Sequence, residues 1–272
     1  MQTGKEHKDC KRSQPAVAGR YASAWLWVAL LFVVCTVVYG LLSSYPREMA
    51  VYSDEVRYLD VARSLFEGRG LRVRNMPSDY QKILYPLCIL PALLFKTTAA
   101  QITAIGWLNA AWASSAVFPA YALARATGQT RRRTVFLVGV TAVLPTMAAC
   151  ATFMSETVFL PLSLWQVYFL WRAMAAAPAA RIRWCALAGV WCYLLYLNKE
   201  VALYYLIAWV LLRLWVVWHD RAAWRVELAA AAALLGSFAV CFVAAKLTLF
   251  AGLGNSYNQT GWITPEQCAF LP

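Results

Sequence analysis

The chain has 272 residues, of which 61% are hydrophobic, 13 are Trp and only 14% are charged, and its formal net charge is +12. Those proportions exclude a single soluble core, because too few charged side chains are present to cover its surface. The Lys and Arg stand in short clusters between apolar runs of spanning length, so the basic surplus reads as a set of topology signals in a membrane protein. A nucleic-acid partner is not expected.

In chain order, seven spans are predicted at about 22–42, 101–125, 134–150, 156–174, 184–197, 201–218 and 226–249. The fold class expected is an all-α, polytopic helical bundle. It divides into a basic N-terminus (1–21), a transmembrane domain (22–250) and a tail (251–272). The first apolar run is too long for a signal-peptide core and no small-residue cleavage site follows it cleanly, so it is read as a helix that stays in the protein. Lys5, Lys8, Lys11, Arg12 and Arg20 precede it. Arg125 and Arg131 to Arg133 follow the second span, Arg172, Arg181 and Arg183 the fourth, and Arg213, Arg221 and Arg225 flank the end of the sixth. Every second connection is basic. The positive-inside rule therefore puts the N-terminus in the cytoplasm, and puts the loop 43–100, the turns near 151–155 and 198–200, and the C-terminal tail outside.

The stretch 83–95 is apolar but short, and it contains Pro86 and Pro91. A crossing here would reverse the parity of every later loop and place Arg131 to Arg133 outside. It is read instead as an interfacial or re-entrant element of the first outer loop. The eight Cys (10, 35, 88, 150, 185, 192, 241, 268) lack metal-type spacing and mostly fall in apolar runs, so free thiols are expected. A disulfide among Cys88, Cys150 and Cys268 is the alternative. Neither a repeat nor a phosphate-cradling glycine loop is present, and His7 and His219 both fall on the cytoplasmic side, which leaves no hydrolase triad outside.

Three polar constellations converge on the outer face. The first is Asp54-Glu55 with Tyr58, in an amphipathic helix that Ser53 can cap. Acidic residues in a first turn are favoured by the helix dipole in any protein, which accounts for one carboxylate. Leu59, Ala62, Leu65 and Phe66 form a face suited to the membrane surface, which would hold Asp54 at headgroup depth, and Asp54 shares a face with Tyr58 four residues on. The second is Met154-Ser155-Glu156, where Glu156 opens an apolar run with no salt-bridge partner nearby in sequence. It either caps the fourth span or serves a site. The third is Asn198-Lys199-Glu200, a polar turn that either marks the water interface or offers a cation to a phosphate leaving group. Arg57, Arg63, Arg69, Arg72, Arg74 and Lys82 make the first outer loop basic, as for an anionic ligand or anionic lipid headgroups.

The order of these features resembles the GT-C superfamily of integral membrane glycosyltransferases, nearest to its protein mannosyltransferase and lipid A aminoarabinose transferase branch. The resemblance rests on Ser53-Asp54-Glu55, Tyr58, Ala62, Leu65 and Gly68 in the outer loop, Leu84-Tyr85-Pro86, Leu108-Asn109-Ala110, the basic turn, Leu144-Pro145 and Ser155-Glu156. It spans most of 22–215. It implies transfer of a sugar from a polyprenyl-phosphate carrier to an acceptor on the outer face, with inversion. On the matching positions, Asp54 (with Glu55 beside it) would be the general base, and Glu156 would hold acceptor or a divalent metal ion. Lys199 would hold the carrier phosphate, helped by Arg57, Arg74 and Lys82, and Tyr58, Tyr85 and Glu200 would complete the site. Glu156 is a single acid where a pair would mark a metal site, so no cofactor is required and a divalent ion is left open.

Relatives of this kind usually have further spans and often a soluble outer domain. The expectation is therefore a shortened member, a remnant, or one part of a split enzyme with a partner subunit supplying C-terminal elements. A bacterial inner membrane fits the Ala- and Arg-rich composition. Two other classes stay open: a non-catalytic subunit of a degenerate transferase, and a transporter or flippase of an anionic lipid-linked substrate, which should show broken midspan segments in repeated halves.

Overall fold

The structure is a computed structural model and describes residues 15–44, 53–77, 81–219, 221 and 224–251. Residues 1–14 with Cys10, the side chains of 15–24, 53 and 145–146, and the tail from 252 with Cys268 lie outside the described residues. The fold is all-α but for one small hairpin. Its long helices are α1 (Pro15–Ser43), α4 (Thr98–Ser114), α5 (Val117–Ala126), α6 (Arg131–Ala142), α7 (Glu156–Ala175), α8 (Pro178–Tyr196), α9 (Leu203–His219) and α10 (Trp224–Leu247). The segment 43–100 carries α2 (Ser53–Phe66), the hairpin strands β1 (Arg72–Val73) and β2 (Met76–Pro77), and α3 (Leu84–Ile89).

Four segments are long and apolar enough to cross a bilayer: Trp25–Ser43, Arg131–Ala151, Glu200–His219 and Trp224–Leu247. Helices also occupy the other three predicted spans, with one interruption. The run 101–125 breaks at Ser115–Ala116 between α4 and α5. Pro119 has no N–H to give the Ser115 carbonyl, and that carbonyl is taken instead by Phe118 N at 3.1 Å. Pro145 likewise ends the regular part of α6 and opens a 3-10 turn, Pro145–Ala151.

The stretch 83–95 folds as α3 plus a 3-10 turn, Leu90–Leu94, with Pro91 in its first turn. Tyr85, Pro86, Ile89, Ala92 and Leu93 are buried. The hairpin, absent from the sequence reading, turns through Arg74 and Asn75, whose φ values of 51° and 63° are those of a tight type I′ turn. Cys35, Cys88, Cys150, Cys185, Cys192 and Cys241 are free thiols.

Helix ends alternate between two poles of the bundle. At one pole the Trp25 and Trp27 rings meet Tyr121 edge-on, at 4.6 and 5.9 Å, and Trp171 Nε1 donates to the Ala126 carbonyl at 3.1 Å. The same pole holds a buried ion cluster in which Glu227, 2% exposed, accepts from Arg181 and, at 3.2 Å, from Arg213. At the other pole Tyr39 donates to the Ala142 carbonyl at 2.6 Å and the elements of the 43–100 segment gather.

Small residues let helices approach closely. A Cβ on Gly189 of α8 would stand 2.1 Å from Ser237 Oγ and 2.2 Å from the Leu234 carbonyl of α10, and one on Gly40 of α1 would stand 2.4 Å from the Trp107 ring of α4. Contacts step in the same direction along α8 and α10, from Arg181–Glu227 through Gly189–Leu234 to Tyr193–Phe238, so the two helices run parallel with α9 returning between them.

Gly189→Ala should destabilise the protein by about 1–3 kcal/mol, because its methyl group meets backbone that cannot rotate away. Glu227→Ala should cost more, roughly 3–5 kcal/mol, by leaving two buried guanidinium groups without their carboxylate. Denaturant or thermal unfolding in detergent measures both. Replacing Glu227, Arg181 and Arg213 together by Leu or Met should cost much less than Glu227→Ala alone.

Candidate functional site

Between the 3-10 turn at Pro145–Ala151 and the start of α7, the chain runs irregularly through Thr152–Ser155. Helical hydrogen bonding stops there, yet Phe153 is buried and Ser155 fully so. Unpaired backbone groups in such a place cost several kcal/mol, so partners must come from elsewhere. They come from four elements. Asn109 Nδ2 of α4 donates to the Thr152 carbonyl at 2.8 Å, and the Phe153 N–H donates to Glu55 Oε1 of α2 at 2.8 Å. Thr157 Oγ1 of α7 donates to the Met154 carbonyl at 3.1 Å, and Asn198 Nδ2 donates to the Ser155 carbonyl at 2.9 Å. Tyr58 of α2 adds a hydrogen bond from its hydroxyl to Ser155 Oγ at 3.2 Å.

This network explains how the acidic pair divides its work. Adjacent helical residues point about 100° apart, so when Glu55 turns into the protein Asp54 must turn along its rim. Glu55 is fully buried and serves as an acceptor for backbone, whereas Asp54 keeps 48% of its side chain exposed, 3.9 Å from Arg57. Tyr58, one turn beyond Asp54, packs edge-on against Tyr85 at 5.0 Å. Tyr85 is buried and donates to Asn109 Oδ1 at 3.1 Å. Burial pushes its phenol well above the ordinary range, so it stays a neutral donor.

The face of α2 expected to lie on the membrane is partly covered by protein. Ala62 is fully buried, and Leu59 and Leu65 pack against the core, while Val56 and Phe66 remain exposed, at 54% and 43%. The reason is the same network, which draws α2 onto the 152–155 segment and α3.

Glu156 has the salt-bridge partner that its local sequence lacks. Lys199, 43 residues away, reaches Oε1 at 2.5 Å, while Oε2 is buried and accepts no hydrogen bond from the described residues. Both side chains are about a third exposed. Beside them Lys82 pairs with Glu200 at 3.7 Å, the Leu84 N–H donates to the Leu197 carbonyl at 3.0 Å, and Tyr196 donates to Gln81 at 3.0 Å. The 81–84 segment is thereby fastened to the 196–200 turn. Glu156, Lys199, Lys82 and Glu200 thus stand at this pole with Asp54, Glu55, Tyr58 and Tyr85.

Arg74 is placed differently. It sits exposed in the hairpin turn, where its backbone N–H donates to Asp60 Oδ2 at 2.5 Å. Among the described residues no three His, Cys, Asp or Glu side chains converge as a metal site. Asn109 is a site residue that the chemistry of the outer turns did not bring forward. Its signal was present: an amide inside an apolar span is costly unless it is bonded, and this one bonds Tyr85, Thr152 and Thr157.

The arrangement offers a half-exposed carboxylate, a carboxylate with one unoccupied oxygen, and an ammonium group that uses one of its three N–H bonds on that carboxylate. Such a set contains groups able to accept a proton and a group able to neutralise a leaving anion. No family model, curated protein or solved structure matches the chain.

The two members of the acidic pair should separate in stability. Glu55→Ala, which orphans the Phe153 N–H, should cost about 1–3 kcal/mol, whereas Asp54→Ala should cost less than about 1 kcal/mol. Melting curves of the two variants in the same detergent test this. Equal losses would mean that Glu55 does not anchor α2.

Proposed function

We propose that this protein is an integral membrane glycosyltransferase of the GT-C type, crossing the bilayer seven times with its N-terminus in the cytoplasm of a bacterial cell. It transfers a sugar from a polyprenyl-phosphate donor to an acceptor at the outer surface. The observation that carries this reading is the gathering of Asp54, Glu156 and Lys199 at one pole of the bundle through the 152–155 segment, although they are far apart in the chain. Alternation of helix ends between the two poles supports the topology, with the Arg181–Glu227–Arg213 cluster at the cytoplasmic pole.

In this reading an acceptor hydroxyl binds at the rim of α2 and passes its proton to Asp54 as its oxygen attacks the anomeric carbon. The bond from that carbon to the carrier phosphate breaks on the opposite side, and configuration inverts. The departing phosphate takes the bonding electrons, and Lys199 meets its charge with the N–H groups it does not use on Glu156. Lys82 and Arg57 add positive charge nearby. Glu156 orients Lys199 through Oε1, and the exposed part of its carboxylate meets the acceptor or a divalent ion. Glu55 holds α2 in place, and Tyr58 and Tyr85 hold the floor of the site. The polyprenyl tail lies between helices, and a partner subunit would supply whatever further elements the donor needs.

The test is complementation of a host that lacks the protein, reading envelope glycans and accumulated polyprenyl-phosphate sugars. Wild type should restore the missing sugar, and Asp54→Asn, present at the same level, should transfer it at least about 100-fold more slowly. Equal restoration by both would overturn Asp54 as the base and favour a transport or scaffolding role.

A further inference from the structure

A largely apolar pocket with a polar edge opens on the other side of α2, between that helix and the start of α4, with a volume of about 280 Å³. Its wall is apolar where Leu59 meets Ile102 and Ile105, and polar where Asp60, Arg63 and Gln101 face it. Asp60 and Arg63 are three residues apart on one helical face, close enough to act on one small ligand. They do not pair with each other. Asp60 Oδ2 accepts the Arg74 N–H of the hairpin turn, which fixes the carboxylate, and Arg63 has no ion-pair partner among the described residues. Gln101 commits its amide nitrogen to the Phe95 carbonyl at 2.9 Å, which leaves its oxygen as an acceptor.

We propose that this pocket binds the phosphoethanolamine headgroup of a membrane lipid, the phosphate on Arg63 and the ammonium on Asp60 and Gln101. A purely anionic group would meet the Asp60 carboxylate and a purely cationic one the Arg63 guanidinium. A ligand carrying both charges on a short linker satisfies the two at once. The apolar wall of Leu59, Ile102 and Ile105 favours a ligand that carries apolar groups next to its charges, as a lipid does, over a soluble ester. Exposed Val56 and Phe66 on α2 suit that helix to the bilayer surface, where such headgroups lie. The pocket lies on a different face of α2 from Glu55 and Tyr58, so the inference does not depend on the transferase reading.

Native mass spectrometry of the full chain, delipidated in detergent and titrated with single lipids, tests this directly. Phosphatidylethanolamine should bind wild type, and Arg63→Gln and Asp60→Asn should each weaken it about tenfold or more, while Arg63→Lys keeps most of the binding. Arg63 is exposed, and unchanged melting of its variants shows that the fold survives. Equal binding of phosphatidylglycerol, or no loss with Arg63→Gln, would overturn the zwitterionic site. Glycerophosphoethanolamine binding as tightly as the lipid would overturn the membrane source.

Discussion

The candidate site depends on one irregular stretch of backbone, Thr152–Ser155. In an apolar bundle its amides and carbonyls cannot turn to water, and no helix is available to absorb them. Side chains from α2, α4, α7 and the 198 turn therefore bond it, and in doing so they bring those elements to one pole. The polar residues are grouped by a hydrogen-bonding obligation before any ligand is considered. A protein that must bury such a segment gains, as a by-product, a place where carboxylate, hydroxyl, amide and ammonium groups stand together.

The opposite pole is held by charge. Glu227 is shared between Arg181 of α8 and Arg213 of α9, and Arg213 also stacks over Trp209 at 4.7 Å. The cluster has one more cation than anions and joins three helices, of which α8 and α10 pack together further along through Gly189 and a row of aromatic rings. Burial makes the carboxylate indispensable to the two guanidinium groups, which is different from saying that the trio adds much net stability. Its service is register: it fixes α8 and α10 side by side, and with them the turn that carries Asn198 and Lys199.

Much of the helix placement was legible because apolar runs of spanning length have few alternatives and because prolines mark where they stop. Pro86 and Pro91 were visible as the reason 83–95 makes a short element, whereas the breaks beside Pro119 and Pro145 were not anticipated, since 101–125 and 134–150 read as unbroken apolar runs. The hairpin at 72–77 was not legible. Its turn uses Arg74 and Asn75 with positive φ in place of an Asn-Gly pair, and its strands are only two residues long. The acidic pair was visible as a pair, but which member would be buried was not, since the helix begins close to both and either rotation presents a carboxylate outward.

The sequence by itself determined that this chain is helical and carries segments apolar and long enough to cross a bilayer, because hydropathy and the scarcity of charge act locally and need no partner to be read. It also singled out Glu156 and Lys199, since each stands at the edge of an apolar run, but not the buried Asn109 or Glu227. Their partners were decided only in the tertiary structure. Glu156 finds Lys199, Glu55 finds the Phe153 amide and Asn109 finds the Thr152 carbonyl across separations of 43, 98 and 43 residues. Hydrogen bonds and ion pairs act over a few ångströms in space, and nothing in local periodicity records which distant groups packing will bring within that reach.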